Sequence, residues 1–226
     1  MGEETPSGFL ESGMADLIEG NTAELTALSG NLAKVANGRD ARSLLITSAH
    51  PGEGKTTTAV SFAVTLANHL NSRVILLDAN FHAPRLHELF NLEILPGLSD
   101  ILVSGLPTEN AICRTNRENL FVIPAGSPLA MSIGCNEVPK LKNVIDDLLQ
   151  EYRYVILDSC NFFLHSDVPL YASLFEGTVF VIECGRTKWE VVQQAKEKLD
   201  VVGSTVLGAV LNKRRYYIPG NLYGKI

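Results

Sequence analysis

The sequence predicts an α/β fold with a mostly parallel central sheet and helices on both faces. Three observations predict it. From Ser43 onward, short apolar runs alternate with longer stretches of helical period, the rhythm of repeated strand–helix–strand units. The short runs are continuously apolar, as strands covered on both faces must be. A glycine-containing turn, Ser48 to Thr57, separates the first run from the first helical stretch, and in open α/β sheets ligands sit at such C-terminal strand ends. With 226 residues, 46% of them hydrophobic, the chain can bury one full core without staples.

The elements follow in order. The first 33 residues hold six acidic residues and no Lys or Arg. Residues 1–20 read as loose. Residues 21–36 read as a helix, with Leu25, Leu28, Leu32 and Val35 on one face and a turn at Asn37-Gly38 after it, packing on the domain or on a neighbouring subunit. Strands are expected at Leu44–Thr47, Val74–Leu77, Leu120–Pro124, Tyr154–Leu157, Thr178–Ile182 and Val206–Leu211. Helices are expected at Thr56–His69, Pro84–Phe90, Val138–Tyr152, Asp167–Phe175 and Lys188–Val202. The expected organisation is an acidic extension over 1–40, a nucleotide-binding domain over 41–213 and a basic, tyrosine-containing tail over 214–226.

Composition narrows the function. The net charge of -6 argues against a nucleic-acid partner. No apolar run is long enough to span a membrane, and the acidic start MGEETPSGFLESG is neither a secretory signal nor, with Pro6 in the way, a myristoylation signal. Cys113, Cys135, Cys160 and Cys184 form no CxxC pair, which fits reduced thiols in a cytoplasmic protein. The five histidines lack metal-ligand spacing; His82 and His87, five apart, do not share a helical face.

The strongest motif is Ser48-Ala49-His50-Pro51-Gly52-Glu53-Gly54-Lys55-Thr56-Thr57. A strand precedes it and a helix follows, the context of a phosphate-binding loop. The turn Pro51-Gly52-Glu53-Gly54 would wrap the phosphates of ATP, with the backbone N–H groups of Gly52 to Thr57 pointing inward. Lys55 would reach the β- and γ-phosphates, and the Thr56 hydroxyl would ligate Mg2+. Ala49 stands where the general pattern has its first glycine. Asp78 and Asp158 each end a strand; a carboxylate there can hold Mg2+, directly or through water, or cap the following loop.

These pieces together resemble the bacterial tyrosine autokinases of capsule and exopolysaccharide synthesis, within the deviant-Walker P-loop ATPase group that includes the partition and cell-division ATPases. The likeness is carried by SAHPGEGKTTTAVSFA (48–63), VILLDANFHAPRLHELF (74–90), PGLSDIL (96–102), LFVIPAG (120–126), YVILDS (154–159), ECGRTKWE (183–190) and VLGAVLNK (206–213). The resemblance implies transfer of the γ-phosphoryl group of Mg-ATP to tyrosines near the C-terminus, usually of a neighbouring subunit. It also implies activation by a membrane-bound polysaccharide chain-length regulator, or co-polymerase, that recruits the protein to the inner face of the membrane. By the same resemblance Lys55 and Thr56 are phosphate-loop residues, Asp78 is base or metal ligand, Asp158 is the acidic residue of the third motif, and Asn212 reads the adenine edge. The acceptors would be Tyr216, Tyr217 and Tyr223, in a tail with no acidic residue that is expected to be mobile.

The departures cluster on charge. Where the family reads Asp-x-Asp-x-Arg, this chain has Asp78-Ala79-Asn80-Phe81-His82. Asn80 supplies no charge, and a histidine is not a permanent cation at neutral pH. Asp158-Ser159-Cys160-Asn161 replaces Asp-Thr-Pro-Pro, and Ser132-Ile133-Gly134-Cys135 replaces an Asn-Pro followed by Glu. The subunit-contact pattern Glu-x-x-Arg-x-x-Arg finds only Glu24 to Gly30, without either arginine, so the geometry of any assembly of copies stays open. Three readings follow: a tyrosine autokinase of low intrinsic rate; a nucleotide-binding, catalytically weak partner of a polysaccharide co-polymerase; or a partition-type ATPase, against which Ala49-His50-Pro51 stands in place of Lys-Gly-Gly. Cys160 reads as a packing residue, Arg186 as facing nucleotide, subunit or solvent, and Trp189 as packing or interface.

Overall fold

The central sheet is built from β1 (Ser43–Ser48), β2 (Val74–Ala79), β3 (Cys113–Arg114), β4 (Leu120–Ile123), β5 (Tyr154–Asn161), β6 (Gly177–Glu183) and β7 (Val206–Asn212). Their order is β3-β4-β2-β5-β1-β6-β7, parallel except for the β3–β4 pair. The structure, a computed structural model, describes residues 8–21, 23, 26–27, 41–69, 71–127, 133–164 and 167–214. Every expected strand is present within a few residues of its expected ends. The additional β3 is two residues long, too short to leave a periodic signal.

All residues of β1, β2 and β5 are buried, as strands in the middle of a covered sheet must be. Their side chains alternate between two cores. On one face Leu45, Ile75, Leu77, Val155 and Leu157 meet helices α4 (Leu98–Ser104), α5 (Val138–Glu151), α6 (Val168–Ala172) and α7 (Trp189–Val201). On the other face Leu44, Ile46, Leu76, Ile156 and Val179 meet α1 (Ser12–Gly20), α2 (Lys55–His69) and the one-turn α3 (Leu86–Leu89). Helix α2 buries Ala59, Val60, Phe62, Ala63, Val64, Leu66 and Ala67, so it is enclosed almost all round. A 3-10 turn spans Thr108–Ala111.

Two local devices hold the frame. The Arg42 guanidinium donates to the carbonyls of Leu149, Tyr152 and Arg153, satisfying the orphan acceptors at the end of α5. At the start of α4, the Asp100 carboxylate accepts the Gly97 N–H at 2.8 Å. Gly97 is glycine for space: a Cβ there would lie 2.2 Å from the Gly126 nitrogen and 2.4 Å from the Pro124 carbonyl oxygen.

The expectation that residues 1–20 are loose is corrected over 8–20. Gly8 N–H donates to Arg114 O, Asn116 N–H to Gly8 O and Glu11 N–H to Leu89 O, and α1 then buries Met14 and Ile18. A short amphipathic segment gains its structure from tertiary contacts, which its own sequence does not display. Of the helix expected over 21–36, only residues 21, 23, 26 and 27 are described.

Candidate active site

The loop from β1 to α2 folds as its residue types dictate. Gly52 and Gly54 take φ of +80° and +94°, the left-handed region that glycine adopts at least cost. Gly54 is also a close-approach position, since a Cβ there would lie 2.0 Å from Asn212 Nδ2. The Asn212 amide donates to the Glu53 carbonyl at 2.9 Å, so the end of β7 is fixed against the loop. Lys213 Nζ donates to the Gly52 carbonyl and lies 3.4 Å from Glu183.

Glu53 is fully buried. Its carboxylate accepts the His50 N–H at 2.7 Å, the Glu183 N–H at 3.5 Å and the Thr187 hydroxyl. The Glu53 side chain is therefore a clip that ties the loop to the turn between β6 and α7, and it does not line the cavity. Of the expected nucleotide-binding set, Pro51, Gly52, Gly54, Lys55, Thr56, Thr57 and Asn212 line one cavity of about 740 Å³, a volume suited to a nucleotide. Met14, Leu17, Asn80, His82, Arg85, Asn161, Leu164 and Lys213 also line it.

The two strand-end carboxylates are neighbours, with Asp78 opposite Asp158 in the β2–β5 register. Both are fully buried. Asp158 Oδ2 accepts the Thr56 hydroxyl at 2.6 Å, while Oδ1 is buried without a hydrogen-bond partner. Burial and then the Asp78 charge push Asp158 up to about 7, against the pull of Lys55 and the Thr56 hydrogen bond. An orphaned carboxylate oxygen beside a hydroxyl is a hard, all-oxygen donor pair of the kind Mg2+ takes, so the residues present fit that ion.

Asp78 points elsewhere. Its carboxylate accepts the Asn80, Arg85 and Leu86 N–H groups, each at 3.0 Å, so it caps the following loop and does not line the cavity. Burial pushes its pKa up to about 6, against those three hydrogen bonds and His87. The Asn80 amide donates to the Ala83 carbonyl at 2.7 Å. Tyr216, Tyr217 and Tyr223 lie outside the described residues.

Other residues are placed plainly. Cys160 is buried, with its thiol 3.4 Å from Asp167 and 3.9 Å from Tyr171. Burial, reinforced by Asp167, pushes that thiol up to about 12, so it packs rather than reacts. Arg186 pairs with Glu183 at 3.1 Å. Trp189 is 72% exposed, so it is not a packing residue of this fold. Sequence reasoning missed Arg85 and Lys213 as cavity residues. The available signals were a cation beside Pro84 and a cation immediately after Asn212.

The chain is similar to several known proteins. The AAA domain family matches residues 41–201. The chain is 30% identical over 195 residues to the tyrosine-protein kinase YwqD of Bacillus subtilis, covering 86% of this chain and 82% of that protein. It is 31% identical to the tyrosine-protein kinase CpsD of Streptococcus agalactiae, covering 78% of this chain and 77% of that protein. It is 31% identical to part of the succinoglycan biosynthesis transport protein ExoP of Rhizobium meliloti, covering 78% of this chain and 23% of that protein. Among solved structures, the chimerical protein CapA2B2 superposes with a TM-score of 0.78 at 26% identity, over 94% of this chain and 96% of that one. The septum site-determining protein MinD of Pyrococcus horikoshii, complexed with Mg-ADP, shares the fold with a TM-score of 0.66 at 22% identity, over 80% of this chain and 74% of that one. The chain thus has the deviant-Walker P-loop ATPase fold and belongs to the AAA domain family and, within it, to the bacterial tyrosine-protein kinases.

Proposed function

We propose that the protein is an ATP-dependent tyrosine autokinase that transfers the γ-phosphoryl group of Mg-ATP to Tyr216, Tyr217 or Tyr223 of a C-terminal tail, and that this regulates exopolysaccharide synthesis or export. The reading is carried by one observation: Lys55 and Thr56 line the cavity, and the Thr56 hydroxyl donates to Asp158, whose other oxygen is buried behind it without a partner. Lys55 binds the terminal phosphates. Thr56 and Asp158 hold Mg2+, which supplies charge neutralisation at the phosphates when bound. Asn212 and Lys213 border the adenine side. Asp78 organises the wall opposite the loop. In the transfer, the tyrosine oxygen gains the phosphoryl group as its bond to the β-phosphate oxygen breaks, and the hydroxyl proton passes to solvent.

The polar inventory of the cavity favours a slow enzyme. Asn80 and His82 stand where the resembled motif has a carboxylate and an arginine, and loss of one preorganised charge costs about a hundredfold in rate. A weakly catalytic regulator is the second reading, favoured by the Asp78 carboxylate being committed to backbone N–H groups. A membrane-bound polysaccharide co-polymerase is the proposed partner and recruits the protein to the inner membrane face; the similarity to part of ExoP supports this.

Intact mass before and after Mg-ATP, beside Lys55→Met, tests the proposal. Phosphate steps on the wild type that vanish in the variant and map to the tail tyrosines are expected. Absence of phosphate on the wild type, also with a soluble segment of the co-polymerase added, would sink the kinase reading in favour of the regulator.

A further inference from the structure

We infer that Arg85 supplies the positive charge that meets the transferring phosphoryl group from the wall opposite the phosphate loop. The inference rests on the reading that the cavity takes Mg-ATP, and it assigns a role to a residue outside the phosphate-loop and strand-end motifs.

Phosphoryl transfer is catalysed mainly by fixed charge around the moving group. Among the described residues, three permanent cations line the cavity: Lys55, Lys213 and Arg85. Lys55 belongs to the loop, and Lys213 is engaged by the Gly52 carbonyl and Glu183 on the loop's far side. The segment Asn80–Arg85 follows β2 and lines the same cavity through Asn80, His82, Ala83 and Arg85. The position where the resembled motif has arginine is His82, so that wall would carry no permanent charge without Arg85.

Arg85 is built to stay there. Its own N–H and that of Leu86 both bond Asp78 Oδ2 at 3.0 Å, and Pro84 before it restricts the chain. Asp78 is in register with Asp158. The backbone of Arg85 is therefore indexed, through Asp78 on β2, to Asp158 on β5, which accepts the Thr56 hydroxyl. Its guanidinium is free to be recruited. The Nε lies 2.6 Å from Glu88, with both side chains more than half exposed, and a surface pair of that kind is worth little. A phosphoryl oxygen pair suits the planar guanidinium fork, and lysine lacks that geometry.

The test measures binding of Mg-ADP with and without aluminium fluoride, a mimic of the phosphoryl group in flight, by calorimetry. For the wild type, fluoroaluminate should tighten Mg-ADP binding markedly. Arg85→Ala should lose about a hundredfold of that tightening while Mg-ADP alone changes less than threefold; Arg85→Lys should recover only part. His82→Arg in the Arg85→Ala background should restore at least tenfold. Glu88→Gln, which removes the ion pair and keeps the arginine, should match the wild type. Thermal melts confirm that each variant is folded. Equal fluoroaluminate tightening in Arg85→Ala and wild type overturns the inference, as does a Glu88→Gln loss equal to that of Arg85→Ala, or no tightening in the wild type. Failure of the wild type to bind Mg-ADP at all defeats instead the nucleotide reading beneath it. A wild type that tightens through Arg85 yet phosphorylates no tyrosine leaves Arg85 in place and removes the kinase reading.

Discussion

Asp158 pairs one oxygen with the Thr56 hydroxyl and leaves the other without a partner, and burial, then the Asp78 charge, set its pH behaviour. Its pKa rises from 3.8 to about 7, so the folded protein keeps a proton that the unfolded chain releases. The stability from that retained proton is complete below pH 4 and is lost as pH rises through about 7. Asp158→Asn carries no charge to bury. In EDTA its advantage over the wild type against denaturant should grow between pH 5 and pH 8 by on the order of 3 kcal/mol, while it loses Mg2+-dependent nucleotide binding; an unchanged difference between the two pH values would refute this. Glu53 is the second residue whose role lies in what it touches. Glu53→Ala should leave the His50 N–H without its acceptor and free the loop from Thr187, weakening ATP binding about tenfold, a loss on the order of 1.4 kcal/mol, readable by titration calorimetry. Lys55, Thr56 and Asp158 were legible as a set because strand, loop and helix frame them in sequence. The orientations of Glu53 and Asp78 were not, because their partners Thr187 and Leu86 are fixed by tertiary structure rather than by spacing.

Helices and strands of full length were legible, as were the short α3 and α6; α4, β3 and the 3-10 turn were not. Helix α5 shows its buried face in Leu141, Val144, Ile145 and Leu148, spaced at the helical period. Helix α4 has seven residues and begins at a glycine-bounded turn, so its sequence carries less than two full turns of pattern. The N-terminal segment is the clearest case of tertiary override. Its Met14 is 8% exposed and packs where α3 and the cavity wall meet. Met14→Ala should cost about 2–3 kcal/mol and speed amide exchange across residues 12–20, with the exchange of β1, β2 and β5 unchanged. Arg42→Ala acts at the opposite end of the sheet. Removing donors to the Leu149 and Tyr152 carbonyls should cost about 1–2 kcal/mol in chemical denaturation without altering nucleotide affinity, since the substitution lies at the N-terminal edge of β1 and the cavity at its C-terminal edge.

Across the whole molecule, the parallel topology gathers the ends of β1, β2, β5 and β7 at one rim; the phosphate loop, Asp78 and Asn212 stand there because each lies at or next to a strand's end, and Asp158 stands beside Asp78, three residues before β5 ends. That much follows from the alternation of apolar runs and helices in the chain. The closure of the rim by α1 does not, because it depends on a long-range hook: Gly8 pairs with Arg114 and Asn116, and the Leu10 N–H reaches the Asn116 side chain 106 residues away. The hook has a consequence in time. During synthesis, residues 8–20 are made long before the hairpin that receives them, so they wait undocked while α2 can already form. The last wall of the cavity is then completed only after β3 and β4 arrive, and pulse-labelled amides of residues 12–20 should gain protection later in refolding than those of α2.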